Sequence, residues 1–241
     1  MRIRPLVAGV LLPCSLMAMA VLMGCGGDRP PTDYASVADT DAVADEAAAP
    51  TFGTNLVKNG GFEVDAGGNG TTLVRPSKWT PGSPIGDATV VTYGASGGFP
   101  TASSPGPPSR GLNFVAGGNG YAQSELFQRI NVSWAASTID AGDAQCVAAA
   151  FVGGYGAQAD NVAVYLDLRD GSTFQIGNAT IPWVTPAQRG NTTGLFRRFW
   201  KGKLPVGTRY IDLHPTFRRY SGAYNDGYLD AVSLKLNDLT P

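Results

Sequence analysis

Glycine and proline limit the folds open to this chain more than any other feature, since they supply 32 and 17 of its 241 residues. Both residues destabilise helix interiors, so the composition argues against a helical bundle. No Gly-X-Y period runs through the sequence, which excludes a collagen triple helix. Because 43% of the residues are hydrophobic, the chain is also unlike a disordered polymer. We therefore expect an all-β fold with many turns.

Short β-type segments separated by turn residues occupy the chain from residue 51 onward. The clearest is 161–168, where Val162 and Val164 alternate with Ala163 and Tyr165, as side chains do on the two faces of a strand. About ten strands in roughly 190 residues fit one β-sandwich without a second domain boundary. The predicted strands are 55–57, 88–93, 112–116, 122–132, 145–152, 161–168, 173–176, 195–200, 209–214 and 227–236.

The first 24 residues have the layout of a bacterial signal peptide, with a basic start before an uncharged apolar run over 6–23. The run ends in Leu22-Met23-Gly24-Cys25, which resembles the lipobox of bacterial lipoproteins. The resemblance implies cleavage before Cys25 and lipidation of Cys25. Glycine rather than aspartate in the next position implies sorting to the outer membrane. A transmembrane anchor is the alternative, because the run approaches the ~20 residues that span a bilayer.

An acidic segment follows the cysteine. Between residues 26 and 50 it has six acidic residues, one basic residue and almost no large apolar side chain. Such a segment cannot bury enough surface to fold, so we interpret it as a flexible tether. The predicted organisation is a signal peptide at 1–24, the lipidated Cys25 and tether at 25–51, and a β-sandwich at 52–241. Lipid and tether would hold the sandwich at the bacterial cell envelope, facing either the periplasm or the exterior.

Charge and metal-ligating residues exclude several classes of function. The formal net charge of −1 provides no strong field for nucleic acid. One histidine and three cysteines are too few for a convincing zinc or iron–sulfur site. Cys14 would leave with the signal peptide and Cys25 would carry lipid. The remaining Cys146 stands in an apolar segment, which indicates a small buried hydrophobe.

Signals for catalysis are weak, and we expect no enzymatic activity. The segment 94–98 matches the G-x-S-x-G pattern of hydrolases, but Gly, Pro and Ser follow where a nucleophile elbow needs a helix. Asp212 and His214 come after Ser96 in the order that such hydrolases use. A small hydrolase on a β-sandwich therefore stays open as a minor alternative.

The two ends of the sandwich carry distinctive motifs. It opens with Asn-Leu-Val-Lys-Asn-Gly-Gly-Phe-Glu at 55–63 and closes with Gly-Tyr-Leu-Asp-Ala-Val-Ser-Leu at 227–234. With the central segment 122–130, these motifs resemble the galactose-binding-like jelly rolls, especially bacterial carbohydrate-binding modules of the xylanase- and cellulase-attached type. The resemblance implies a single jelly-roll sandwich that binds polysaccharide. The sequence departs from the family at Lys78, where the family has glycine, and at Ala231, where it has Asn or Asp.

Two carboxylates stand in these end motifs. Glu63 follows the first predicted strand and Asp230 lies in the last, and the first and last strands of a jelly roll are commonly neighbours. The pair could supply hard oxygen ligands to one structural Ca²⁺, and the family has a structural calcium in this region. The alternative is that each carboxylate caps backbone groups at its own strand.

A glycan site needs aromatic faces for the sugar rings, with polar groups for the hydroxyls. Trp134 and Trp183 lie in predicted turns, where their rings could be exposed. Strand parity suggests a concave sheet face lined by Tyr165, Arg198 and Trp200. We therefore expect a monomeric, non-catalytic glycan-binding domain that a lipid displays on the cell envelope. A structural or adhesive surface lipoprotein with the same fold and no sugar site is the alternative.

Overall fold

A computed structural model describes residues 50–82 and 86–241 of the chain. The predicted signal peptide, Cys25 and nearly all of the predicted tether lie outside these residues. The described part contains ten strands and one five-residue α-helix, α1 (Ala136–Asp140). The strands are β1 (Thr80–Pro81), β2 (Thr89–Thr92), β3 (Asn113–Asn119), β4 (Gln123–Asn131), β5 (Ala144–Gly154), β6 (Asn161–Arg169), β7 (Gln175–Ile181), β8 (Gly194–Lys203), β9 (Tyr210–Arg218) and β10 (Tyr224–Asp238).

The strands form two five-stranded antiparallel sheets, which confirms the predicted all-β jelly-roll sandwich. The front sheet has the order β1-β4-β9-β6-β7, and the back sheet has the order β2-β3-β10-β5-β8. The last strand, β10, therefore lies at the centre of the back sheet between β3 and β5. Within the described residues, no helix is both long and apolar enough to cross a membrane.

The core lies between the sheets and follows the alternation seen in the sequence. In β6, Val162, Val164 and Leu166 are all 0% exposed, while Tyr165 between them lies on the outer face. Burying one such aliphatic side chain stabilises the fold by about 1.5–3 kcal/mol. Cys146 is in the same core, as predicted, and burial raises the pKa of its thiol.

The segment predicted as the first strand, 55–57, forms no regular strand. Leu56 N–H donates to the Leu234 carbonyl of β10 at 2.8 Å, so the segment does lie beside the last strand. The side chain of Asn55 then takes over, because its Oδ1 accepts from the N–H groups of Val57 (3.1 Å) and Leu234 (3.0 Å). An asparagine side chain that accepts from nearby backbone N–H groups competes with the backbone hydrogen bonds of a sheet. Here the Asn55 side chain takes the place of such bonds between residues 55–57 and β10.

Gln128 of β4 holds the rest of the opening motif in place by hydrogen bonds to its backbone. Its Oε1 accepts from Lys58 N–H at 2.8 Å, and its Nε2 donates to the carbonyls of Lys58 (2.9 Å) and Lys78 (3.0 Å). Lys78 and Ala231, which differ from the carbohydrate-binding-module motifs that the chain resembles, both have left-handed backbone, with φ of 70° and 48°. Glycine and asparagine adopt this conformation with less strain than other residues, which gives the family pattern a backbone reason.

The Gly- and Pro-rich segment 94–111 packs on the outer face of the back sheet. Phe99 contacts the rings of Phe114, Tyr224 and Tyr228, with centroids 6.0, 5.4 and 6.0 Å away. Phe114 and Tyr228 are fully buried beneath it. The outer face of the back sheet is therefore a second apolar cluster covered by a loop.

Candidate functional site

The outer face of the front sheet carries an open cavity of about 100 Å³. Tyr165 of β6 lies on its floor, flanked on the neighbouring strands by His214 of β9 and Thr180 of β7. This is smaller than the roughly 300–1,000 Å³ of typical ligand pockets, so the cavity suits one part of a larger ligand. The residues that line the cavity are Asn161, Ala163, Tyr165, Trp183, Thr216, Arg218 and Tyr220.

Two loops raise aromatic rings at the rim of this cavity. Trp183 follows β7, and Tyr220 follows β9. Their side chains are 45% and 62% exposed, so both rings are accessible to a ligand. The side-chain polar atoms of Tyr165, Trp183 and Tyr220 make no hydrogen bond within the described residues, although the backbone N–H of Tyr220 donates to Asp160. These three aromatic residues thus surround the cavity with free polar atoms.

A buried arginine holds the loop that carries Trp183. Arg189 is 2% exposed, and its guanidinium donates to the carbonyls of Val184 (3.2 Å), Gly156 (3.0 Å) and Gln158 (2.7 Å). Burial lowers the pKa of Arg189, and the carbonyl oxygens replace the water that the cation has lost. Arg189 thereby joins the loop after β7 to the connection between β5 and β6.

A buried aspartate holds the loop that carries Tyr220. Asp160 is 0% exposed, and its Oδ1 accepts from the N–H groups of Tyr220 (2.6 Å) and Ser221 (3.0 Å). Its Oδ2 accepts from Asp226 N–H at 3.0 Å, at the start of β10. Hydrogen bonds to an ionised acceptor are the strong ones, so this carboxylate orders the whole loop.

Ion pairs occupy the front face beyond the cavity. Arg129 makes a bidentate contact with Asp212 at 2.7 and 2.8 Å, and Arg169 donates to both Asp212 and Asp167. Asp212 is 1% exposed, and its burial opposes ionisation. The two guanidinium groups outweigh that cost and hold the pKa of Asp212 below its ordinary value.

His214 lies between the cavity and the ion pairs. Its Nδ1 is 3.2 Å from Glu125 Oε1, and its Nε2 is 3.7 Å from Asp167 Oδ2. The ring packs on Phe127 with centroids 5.2 Å apart. Thr216 donates to the other oxygen of Glu125 at 3.2 Å. The single histidine is thus held by two carboxylates and a ring.

The hydrolase arrangement of Ser96, Asp212 and His214 is wrong. Ser96 lies in the segment 94–111, whose Ala95 and Phe99 pack on the outer side of the back sheet. Asp212 and His214 lie on the opposite, outer face of the front sheet. The hydroxyl and the imidazole are therefore on opposite sides of the sandwich, and Asp212 bonds arginines instead of the histidine.

The predicted sheet face with Tyr165, Arg198 and Trp200 is also wrong. Tyr165 is in β6 of the front sheet, whereas Arg198 and Trp200 are in β8 at the edge of the back sheet. Trp200 packs against the core, and Arg198 donates to the carbonyl of Arg197 at 2.9 Å. Strand parity identifies residues that share a face within one strand, but it does not tell which strands share a sheet.

The two tryptophans predicted to lie in turns have different surroundings in the structure. Trp183 lies at the rim of the cavity with Tyr165, and its loop position agrees with the exposed ring that the sequence predicted. Trp134 is half-buried against Phe52, with ring centroids 5.0 Å apart. Its indole nitrogen is buried and has no hydrogen-bond partner among the described residues. Trp134 therefore belongs to the packing of the domain.

Five residues of the cavity lining were not among the predicted contacts, namely Asn161, Ala163, Thr216, Arg218 and Tyr220. A signal for two of them exists in the aromatic–basic segment 217–220, which resembles the segment 196–200 in composition. Only the pairing of β9 with β6 distinguishes the two segments, because it sets Arg218 opposite Asn161 and Thr216 opposite Ala163.

The two carboxylates predicted to bind calcium both accept hydrogen bonds. Glu63 accepts from Leu112 N–H (3.0 Å) and Asn113 N–H (2.9 Å). Asp230 accepts from the Tyr93 hydroxyl (2.7 Å) and from Ala231 N–H (2.6 Å). Burial raises the pKa of Asp230 to about 8.

Each of these oxygens keeps a second lone pair, so the two side chains also suit a hard cation. Within 50–82 and 86–241, however, no group of three or more His, Cys, Asp or Glu could hold a metal ion. A calcium there would need backbone carbonyls for most of its shell. Calcium binding by Glu63 and Asp230 stays a prediction.

Comparison with known proteins bears on the fold. No protein-family model and no curated protein matches the chain. A cyclase from Fischerella sp. TAU, solved with 4-(1H-indol-3-yl)butan-2-one, has 12% identity and a TM-score of 0.52, with 77% of this chain and 98% of that one covered. At this identity the likeness establishes a shared sandwich fold and nothing more.

Two further solved structures are less similar. The CBM22-1 xylan-binding domain from Paenibacillus barcinonensis has 13% identity and a TM-score of 0.44, with 80% of this chain and 100% of that one covered. The enzymatically active domain of tailspike protein 4 from bacteriophage CBA120 has 13% identity and a TM-score of 0.47. The match covers 76% of this chain but only 21% of the tailspike chain.

Proposed function

We propose that this protein binds a glycan, without catalysis, in the cavity on the outer face of the front sheet. The observation that carries the proposal is the meeting of Tyr165, Trp183 and Tyr220 around one open cavity. Aromatic faces cover the C–H surfaces of sugar rings, and an open cavity on a sheet face can hold part of a longer chain. The sandwich fold that the chain shares with the cyclase does not by itself favour either binding or catalysis.

Polar groups beside the rings provide the hydrogen bonds that a sugar needs. The Asn161 amide and the Thr216 hydroxyl lie on the same cavity as Tyr165. Polar groups placed beside aromatic rings are typical of small-molecule sites. The loops that carry Trp183 and Tyr220 are held by buried charges, which lowers the entropy lost when a ligand orders them.

Binding is favoured over turnover because the acid–base groups near the cavity are engaged with one another. His214 contacts Glu125, and Asp167 pairs with Arg169. A general acid or base must reach the reacting atom of a bound substrate with a suitable proton. These groups are arranged as a network of mutual contacts beside the cavity, and none of them lines it.

A glycan array tests the binding site directly. The full chain is expected to bind at least one class of polysaccharide, and Trp183→Ala is expected to weaken that signal by at least about tenfold. Phe174→Ala is the matched control, because Phe174 is 70% exposed and lies outside the cavity, in the turn before β7. Absence of binding across the array would favour the structural or adhesive alternative.

The second part of the proposal concerns location. Lipid on Cys25, followed by the acidic segment, would display the sandwich at the outer membrane of the cell envelope. Cys25→Ala is expected to move the protein from the membrane fraction to the soluble fraction. An unchanged distribution, or a wild-type protein that is already soluble, would contradict the lipid anchor.

A further inference from the structure

One cation on the cavity has no ion-pair partner among the described residues. Arg218 lines the cavity from β9, and its guanidinium makes no hydrogen bond or ion pair with any residue in 50–82 or 86–241. Its neighbours across the sheet are Gln123 on β4 and Asn161 on β6, which are both neutral amides. The five N–H donors of the Arg218 guanidinium are therefore available to a ligand in the cavity.

The other arginines of this face are engaged. Arg129 and Arg169 bind Asp212, and Arg169 also binds Asp167. Arg219, the next residue along the chain, donates to the carbonyl of Ala223. Because these three arginines already have acceptors, Arg218 is the cation on the cavity that is available to an anionic ligand.

We infer that the cavity selects an acidic glycan and that Arg218 binds the carboxylate of a uronic acid unit. This inference rests on the proposed glycan site and gives its ligand class. A guanidinium matches a carboxylate with two parallel hydrogen bonds, which provides both energy and geometry. A neutral sugar in the same place would displace water from the cation without supplying an opposite charge.

The charges of the face also orient the ligand. Arg218 is at one end of β9 and Asp212 lies six positions away, which is about 20 Å along a strand. Asp167 lies opposite Asp212, at the end of β9 away from Arg218, whereas Glu125 lies opposite Thr216 and is already in contact with Thr216 and His214. An anionic sugar therefore places its carboxylate at the Arg218 end, while its ring stacks near Trp183 and Tyr220.

The test compares two ligands that differ only in charge. Affinities of the full chain are measured by calorimetry for an oligogalacturonate and for the same oligomer after its carboxyl groups have been reduced to alcohols. A sulfated neutral oligosaccharide is the third ligand. We expect the acidic oligomer to bind at least about tenfold more tightly than the reduced one, and this preference to weaken at high salt.

Variants assign the preference to one side chain. Arg218→Gln is expected to reduce the preference for the acidic over the reduced oligomer to within about twofold, and Arg218→Lys is expected to restore part of it. Arg75→Gln is the control, because Arg75 is an exposed arginine outside the cavity that pairs with Asp87. The thermal midpoint of each variant verifies that it is folded.

Each other outcome overturns a definite part of the account. Equal affinity for the two oligomers would overturn the acidic-glycan inference and leave the glycan site standing. A preference for the sulfated ligand alone would overturn the uronic acid assignment. An acidic preference that survives Arg218→Gln would overturn the role of Arg218. If the protein binds none of these three ligands and nothing on the glycan array, the proposed function is overturned as well.

Discussion

The buried carboxylate of Asp160 accepts a hydrogen bond from the backbone N–H of Tyr220 at 2.6 Å. It thereby connects the rim of the cavity to the end of the connection that leads into β6. Asp160 touches no ligand surface itself, yet it fixes the loop on which an aromatic contact of the cavity stands. A residue of this kind links the stability of the sandwich to the shape of its cavity.

We expect Asp160→Asn to lower both stability and affinity. The amide keeps the shape of the side chain but loses the charge and one acceptor, so the N–H groups of Tyr220 and Ser221 or of Asp226 lose their partner. The free energy of unfolding should fall by about 1–3 kcal/mol in urea titrations. Glycan affinity should fall too, because the freed loop must be ordered on binding.

Asp87→Asn is the control for this variant. Asp87 pairs with the largely exposed Arg75, and exposed pairs contribute about 0–1 kcal/mol. Its stability and affinity should therefore stay close to those of the wild type. A normal glycan affinity for Asp160→Asn, despite lost stability, would show that the Tyr220 loop is not part of the binding site.

Lys78→Gly is expected to stabilise the protein. Lys78 is exposed and has a φ of 70°, a conformation that costs residues with a Cβ about 1 kcal/mol and costs glycine little. The thermal midpoint should therefore rise by a few degrees. The same change at exposed Lys201 in β8 should lower the midpoint, because glycine weakens a strand interior. Equal effects of the two changes would contradict the backbone explanation of the family pattern.

Asp230 provides a test of both pH dependence and calcium. Burial raises its pKa from the ordinary 3.8 to about 8, so in the absence of metal the folded protein holds this proton more tightly than the unfolded chain. The stability that this proton gives is complete below about pH 4 and is lost as the pH rises through about 8. Asp230→Asn cannot ionise, and its unfolding midpoint should fall less over this range.

Calcium would reverse that preference, because it binds the ionised carboxylates of Glu63 and Asp230. A structural calcium predicts that EDTA lowers the thermal midpoint of the wild type at about pH 7.5 and that Asp230→Asn removes the effect. A wild-type midpoint that does not respond to EDTA or to added Ca²⁺ would remove the calcium prediction. The hydrogen bonds from Tyr93 and Ala231 would then account for Asp230 alone.

The sequence predicts the sandwich well because its information about strands is local. Alternation in β6 places Val162 and Leu166 in the core. The motifs at the two ends of the domain stabilise the fold through side-chain hydrogen bonds to the backbone. Asn55 holds β10, and Gln128 holds the opening loop. Such residues define the architecture and are not ligand contacts, so a resemblance carried by them specifies the fold more than the sugar.

The binding surface is harder to predict because it depends on pairing between distant strands. Tyr165 and Arg218 share a cavity only because β6 lies beside β9 in the front sheet. Arg198 has a similar aromatic–basic surrounding in the sequence, but β8 lies at the edge of the other sheet. Trp183 is the exception, since a Pro-Trp pair in a turn indicates an exposed ring without knowledge of any partner strand.

The most direct test of the central claim uses the four tryptophans of the chain as reporters. Their indole N–H signals are followed by ¹⁵N NMR while the best-binding glycan is titrated into the protein, with each signal assigned by a Trp→Phe variant. We predict that the Trp183 signal shifts in proportion to saturation, while the signals of Trp79, Trp134 and Trp200 stay in place. A titration that moves Trp134 or Trp200 and leaves Trp183 unchanged would contradict the binding site on the front sheet.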